Sequence, residues 1–244
     1  MTQPHERDGR LAVGIVGAGN VGPVIGVALA GAGHRILGIS AISAESRDRA
    51  HAMLPDVPVM DVPTVVASSE LVVLAVPDAQ LASLIQGLVA TNTFQPGQIV
   101  MHTSPMYGIN VLEPALDLGV IPLALHPAMT FTGTSMDVQR LSECFIAVTA
   151  PTPVLPIGQA LAVELGGEPL VIPEAKRVDY AEAISTASEF SASIVAQATG
   201  ILGAIGVENP GLVLGPLIRS SVDRALMRYG DVRTIGISDL EDDL

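Results

Sequence analysis

The apolar run Leu11-Ala-Val-Gly-Ile-Val16 breaks into Gly17-Ala-Gly19-Asn-Val-Gly22, and few folds can use both halves of that stretch. Alternating aliphatic residues such as Leu11, Val13 and Ile15 suit a buried strand, and a G-x-G-x-x-G spacing suits a tight turn that feeds a helix. Gly17 makes the turn, Gly19 lets backbone approach a phosphate without a Cβ, and Gly22 lets the helix lie close on the strand. The helix continues through Val24, Ile25, Val27, Ala28 and Leu29 until Gly31-Ala-Gly33 stops it. Free amides at the start of such a helix, together with its dipole, form an anion site. The stretch therefore predicts a dinucleotide pyrophosphate held by Gly17, Gly19, Asn20, Val21 and Gly22. A purely structural glycine turn would require neither the strand before it nor the helix after it.

Leu11 to Gly33 carries no charge until His34, and on length alone it competes as a membrane span or a signal-peptide core. Glu6 and Asp8 beside Arg7 and Arg10, and the glycines and Asn20 that interrupt the run, argue against both. A chain of 244 residues holds one large or two modest domains, and 49% hydrophobic with 3% aromatic residues means a core of Ala, Val, Leu and Ile. The formal charge of -13 leaves no electrostatic footprint for nucleic acid or an anionic membrane. The acidic end Asp239-Leu-Glu-Asp-Asp-Leu244 reads as solvated. Cys144 is the only cysteine, which excludes an intrachain disulfide and a cysteine metal site, and a cytoplasmic location is expected.

The second strand, Arg35 to Ser40, ends where an adenosine ribose would lie. An NAD site is expected to place an acidic residue there. This chain offers Ser40, Ser43, Ser46, Arg47 and Arg49 instead, which favours NADP over NAD, with Glu45 as the residue that could reverse the preference. Arg47 and Arg49 can also be read simply as the exposed face of the helix running to Met53. Leu71 to Val76 is a continuous apolar run typical of a strand buried on both faces. It ends in Pro77-Asp78, where Val76 and Pro77 are expected to touch the cofactor and Asp78 to cap the next helix. Ile99-Val-Met101 leads into His102-Thr-Ser104, and Val120 to Leu125 leads into His126-Pro127. Ligands of open α/β sheets bind outside the carboxyl ends of the strands. His102 and His126 therefore stand as candidates for cofactor binding or proton transfer.

Phe145 to Val148 and Pro169 to Ile172 read as further strands around a helix from Pro153 to Leu165. From Val178 to Ile205 the chain reads as one long helix whose apolar stripe, with Ile194, Ala198 and Ile201, is too wide for a surface helix. It is expected to be buried in its own domain or against a second subunit. Glu182, Ser185, Glu189 and Ser193 line another side, either as an active-site wall that makes Glu189 a catalytic candidate or as a solvated face. Lys176 and Arg177 at the helix start could bind a substrate carboxylate. Asn209-Pro210 opens a second amphipathic helix that Pro216 starts or kinks. The expected organisation is a doubly wound, mostly parallel Rossmann-type domain, residues 1–172, followed by a smaller all-α domain, residues 173–244. A homodimer through the C-terminal helices is expected to cover their apolar faces.

Gly17-Ala-Gly-Asn-Val-Gly22, Ala75-Val-Pro-Asp78, His102-Thr-Ser104, His126-Pro127 with Phe131, Gly166-Gly167, and Arg177 with Tyr180 together resemble the 6-phosphogluconate dehydrogenase-like superfamily. More narrowly, the chain is similar to bacterial proteins that pair a Rossmann-like domain with a helical domain of unknown function. The chain departs from them at Pro105, at Ala181 and Glu189, where relatives carry His and Asn, and near its C-terminus, where a Thr-Gly-Pro segment and an Arg-Gly-Asp are usual. The resemblance implies an NADP-dependent oxidoreductase acting on a small carbonyl or imine metabolite, with His102, His126 or Tyr180 supplying the proton. The departures motivate the alternative, a dinucleotide-binding sensor or partner protein with little catalysis. A methyltransferase is disfavoured, because the end of the strand at Ser40 lacks an acidic residue and that fold has no use for the long helix.

Overall fold

The structure, a computed structural model, describes residues 10–229. Seven strands form one sheet in the order β2-β1-β3-β4-β5-β6-β7. They are β1 Ala12–Val16, β2 Arg35–Ser40, β3 Leu71–Leu74, β4 Ile99–His102, β5 Ile121–Pro127, β6 Phe145–Thr149 and β7 Glu168–Val171. All neighbouring pairs run parallel except β5 and β6. Helices α1 Gly22–Gly31, α2 Ala44–Met53, α3 Val62–Ala67, α4 Asp78–Ala90, α5 Glu113–Leu116, α6 Ser135–Arg140 and α7 Leu155–Glu164 connect them.

The period of two along each strand builds both layers of the core. Val13, Ile15, Leu71, Val73 and Met101 point to the side covered by Ile25 and Leu29 of α1 and Leu161 of α7. Val16, Val72, Leu74 and Val100 point to the other side, against Val65 of α3 and Leu81 and Ile85 of α4. A sheet covered on both faces has no use for polar residues in its inner strands, which explains the continuous apolar runs. The expected fold class is therefore present, with β6 as the antiparallel exception. The segment near Val59 contributes only a bridge to Ile39 rather than a strand.

The described residues fall into two compact units that divide between Ile184 and Ser185. The first keeps α8, Arg177–Ser185, up to Ile184 with the sheet, because Arg177 at its start is buried against β5 and β6. In the second, a π-helical turn over Thr186–Phe190 leads into α9, Ser191–Ala204, followed by α10, Pro210–Tyr229, which carries Pro216 inside it. No residue of α9 or α10 is buried. The expectation that the long helix buries its stripe within its own domain is thus corrected: Ile194 and Ile201 are exposed. Among the described residues no helix is long and apolar enough to cross a membrane.

Candidate active site

Strand order reverses between β2 and β3 on either side of β1, and such a switch point opens a crevice at the carboxyl ends of the strands. The glycine turn sits there. Gly17 has φ +104°, and a Cβ on it would stand 2.4 Å from the Ala75 carbonyl at the end of β3. A Cβ on Gly22 would stand 1.9 Å from the Gly17 carbonyl, so the turn and the first residue of α1 touch backbone to backbone. Gly19 is different, with open space where its Cβ would be. The start of α1 has no side-chain cap, and Pro23 brings no N–H. Uncapped amides at a helix start fit the pyrophosphate of a dinucleotide.

These residues open on a cavity of about 400 Å³. Gly19, Asn20 and Val21 form one wall, Ala75, Val76, Pro77 and Asp78 a second, and Thr103 and Pro105 a third. His126, Pro127, Met129 and Phe131 close it. The Asn20 amide donates to the Phe131 carbonyl at 3.3 Å, tying the segment after β5 to the glycine loop. That segment is held from behind by Asp137, a buried carboxylate that accepts from the amides of Thr132 at 2.7 Å and Gly133 at 2.8 Å. Sequence reasoning missed Asp137. Its signal was a carboxylate in the first turn of a helix after Thr132-Gly-Thr-Ser135, a pattern that reads locally as a turn.

The ribose-side candidates separate. The Ser40 hydroxyl accepts from the Gly17 amide at 3.1 Å, so Ser40 braces the turn from below. Ser43 is the N-cap of α2 in a reciprocal capping box with Ser46. Arg47 donates to the Ile42 carbonyl at 2.8 Å and Arg49 to the Ala18 carbonyl at 3.1 Å, with Glu45 pairing Arg49 at 2.8 Å. Neither Ser43 nor Arg47 lines the cavity. Val76 and Pro77 do, but Asp78 is the first residue of α4 and not its cap, since Pro77 occupies that position.

The two strand-end histidines have different surroundings. His102 is buried: its Nε2 bonds the Gly108 carbonyl at 2.8 Å and its Nδ1 accepts from the Ser104 amide at 3.3 Å. Both ring nitrogens are spent on the loop after β4, which Glu174 pins from the other end by accepting from the Ile109 amide at 2.7 Å. The cavity wall is formed by Thr103 and Pro105 in its stead, so the expectation that His102 faces the cleft is corrected. His126 lines the cavity. Its Nδ1 stands 2.8 Å from the Tyr180 hydroxyl, with the rings edge to face at 5.6 Å between centroids. Its Nε2 makes no hydrogen bond among the described residues and is not sealed from solvent.

Behind this pair lies Arg177, 1% exposed. Its Nε donates to the Thr149 hydroxyl at 2.7 Å, and one terminal nitrogen donates to the carbonyls of Ala124 at 3.0 Å and Ala147 at 3.2 Å. The guanidinium thereby bridges β5 and β6 at the one antiparallel pairing. Its other terminal nitrogen is buried without a partner among the described residues. The Cζ lies 5.8 Å from the centre of the Tyr180 ring. Burial, reinforced by the Arg177 charge and by His102, pushes His126 down to about 4. Burial also takes His102 down to about 4, raises Tyr180 to about 12 against the opposing pull of Arg177, and lowers Arg177 to about 10. Both histidines are thus neutral near pH 7. Glu189 belongs to the second unit, where its exposed carboxylate accepts from the Ser185 hydroxyl at 2.9 Å.

Comparison with known proteins agrees with this architecture. Residues 1–127 match the Rossmann-like domain family, and residues 144–234 match a domain of unknown function, DUF2520. No curated protein matches the chain in sequence. Among solved structures, a Bacteroides fragilis protein named as an NADP oxidoreductase aligns with TM-score 0.72 and 21% identity over 93% of this chain and 85% of its own. An imine reductase of Streptomyces aurantiacus aligns with TM-score 0.67 and 14% identity over 90% of this chain and 75% of its own. A semialdehyde dehydrogenase NAD-binding protein of Cupriavidus necator, solved with calcium and NAD, aligns with TM-score 0.63 and 14% identity over 95% and 88%.

Proposed function

Because the chain belongs to the Rossmann-like domain family, we propose that it is an NADP-dependent oxidoreductase that reduces a small carbonyl or imine metabolite. The observation that carries this reading is the shared cavity: the uncapped start of α1 and the ring of His126 line the same 400 Å³ space. The amides of Gly19, Asn20 and Val21 hold the pyrophosphate, and Val76 and Pro77 bound the path toward His126. Ser43 and Arg47, at the ribose side, favour a 2′-phosphate once their local hydrogen bonds are exchanged for it. When bound, the reduced nicotinamide supplies a hydride to the substrate carbon. The protein's own contribution is to fix the substrate and to deliver one proton to its oxygen or nitrogen, which general acids do with rate gains of about 10²–10⁴. His126 is the polar side chain placed for that delivery, through Nε2.

The exposed apolar stripes of α9 and α10 support the homodimer expected from the sequence, with a second copy covering them. The lone Cys144 and the acidic charge remain consistent with a cytoplasmic setting. Calorimetric titration with NADPH and NADH, followed by NADPH oxidation assays over 2-oxo acids and cyclic imines, tests the reading. NADPH binding with turnover of one of these classes is the expected result. Binding without turnover of any would move the protein to the sensor reading, and no binding of either nucleotide would overturn both.

A further inference from the structure

Resting on the oxidoreductase reading above, we propose that Tyr180 and His126 form a two-proton relay in which the histidine stays neutral throughout, and that Arg177 is the positioning residue that holds the negative charge left on Tyr180. The geometry is a line of three groups. The Tyr180 hydroxyl is 2.8 Å from Nδ1 of His126, His126 lines the cavity with its opposite ring nitrogen unbonded among the described residues, and the Arg177 Cζ lies 5.8 Å from the centre of the Tyr180 ring. A phenol is a stronger acid than a neutral imidazole, so the hydroxyl donates and Nδ1 accepts. That choice leaves the proton of the neutral ring on Nε2, the atom that meets the substrate.

The step balances. With a reduced nicotinamide bound, the carbonyl carbon would gain a hydride, one proton with two electrons, and the carbonyl oxygen takes the proton of Nε2. Nδ1 takes the Tyr180 proton as the Nε2–H bond breaks, so His126 ends as the other neutral tautomer and Tyr180 as a phenolate. After the alcohol leaves, water that enters the cavity gives a proton to Nε2 and departs as hydroxide to bulk solvent, which amounts to uptake of one solvent proton per turnover, and Nδ1 hands its own proton back to Tyr180. No imidazolium forms, which suits a ring that burial, Arg177 and His102 all keep neutral. The phenolate is costly in a buried place, and Arg177 is the charge available to stabilise it. The guanidinium suits this task because its remaining contacts are carbonyls and a hydroxyl, and among the described residues no carboxylate pairs with it directly. The other titratable groups acting on the pair are Cys144 on Tyr180, His102 on His126 and, more distantly, Glu174 on Arg177.

The test has two arms on the full-length chain. In the first, ¹⁵N-histidine spectra, with His126→Gln supplying the assignment, read the tautomer directly and require no substrate. The wild type is expected to show the Nε2–H form of His126, neutral down to about pH 5, and Tyr180→Phe is expected to shift the ring toward the Nδ1–H form. An Nδ1–H wild type, or a ring unmoved in Tyr180→Phe, overturns the relay. In the second arm, NADPH oxidation with the substrate class found above is followed from pH 5 to 9. The wild-type kcat is expected to be flat from pH 6 to 9. Tyr180→Phe is expected to lose about 100-fold with KM and NADPH affinity unchanged, and its residual rate to rise about tenfold for each unit of falling pH, as imidazolium replaces the relay. Arg177→Lys, which keeps the charge, is expected to retain more of kcat than Arg177→Gln at equal NADPH affinity. A pH-independent Tyr180→Phe, or equal kcat in the two Arg177 variants, overturns the relay. If the wild type turns nothing over, the oxidoreductase reading has failed, and the spectra still decide the proton arrangement by themselves.

Discussion

Helices α1 and α9 are both apolar and rich in small residues, yet α1 buries seven of its ten residues and α9 buries none. The difference lies outside the helices. Helix α1 lies on a sheet whose residues Val13, Ile15 and Leu71 present a complementary apolar face, whereas Phe190, Ile194, Ile201 and Ile205 around α9 stay exposed. A helical sequence states that it wants a partner surface but does not say which chain supplies it. The first unit buries its apolar helix faces on its own sheet, and the second leaves those of α9 and α10 exposed, the faces on which the proposed homodimer rests.

The largest effect that separates the two units is expected from acid. The four histidines among the described residues, His34, His51, His102 and His126, lie in the first unit, and His102 and His126 are both held near 4. Their folded values lie below the unfolded value of about 6.5, so the native state takes up protons less readily than the unfolded one. The stability that neutral histidine confers is complete above pH 6.5 and drains away as pH falls toward 4, at about 3 kcal/mol for each ring. Urea unfolding of the sheet unit should therefore show a midpoint that drops steeply between pH 6.5 and 4. A flat midpoint would mean that the rings are solvated.

On the second unit the matching perturbation is Ile194→Asp combined with Leu217→Asp, both on exposed apolar positions. Sedimentation should show dimer association weakened by at least 100-fold, about 3 kcal/mol, while thermal unfolding of the sheet unit is unchanged. An unaltered sedimentation profile would break the comparison, because it would leave those faces without a role in assembly.

Within the first unit two glycines sharpen the contrast between packing and function. Gly22→Ala drives a Cβ into the Gly17 carbonyl and is expected to cost about 2 kcal/mol of stability and to abolish NADPH binding. Gly19→Ala meets open space, so its thermal unfolding should match the wild type. Its new methyl instead occupies the pyrophosphate approach and weakens NADPH by about tenfold, roughly 1.4 kcal/mol. Equal effects of the two substitutions on stability would deny that Gly19 faces a ligand.

What could be read from the chain follows the same division. Strand runs such as the one that starts at Leu71, which ends at Leu74, two residues short of the expected Val76, and the glycine turn were legible because burial on both faces and a backbone-to-backbone contact each demand a particular residue pattern. The site was only half legible. His102 and His126 occupy equivalent strand ends, and spacing cannot tell that one is spent on the Gly108 carbonyl and the other on Tyr180, 54 residues away. Arg177 reads in sequence as a candidate to bind a substrate carboxylate. It is instead buried, since the β5–β6 antiparallel pairing presents carbonyls that only a long multivalent donor can reach. The arginines and serines after Ser40 are used largely by the backbone around them, a competition that composition does not reveal.

We propose that the glycine turn holds a dinucleotide and that the ribose side prefers the 2′-phosphate. Isothermal titration of the full-length chain with NADPH and NADH under identical salt tests it most directly. Saturable one-site binding of NADPH is expected, with NADH at least tenfold weaker. Equal affinity for the two would contradict the assignment of Ser43 and Arg47, and no binding of either would contradict the account as a whole.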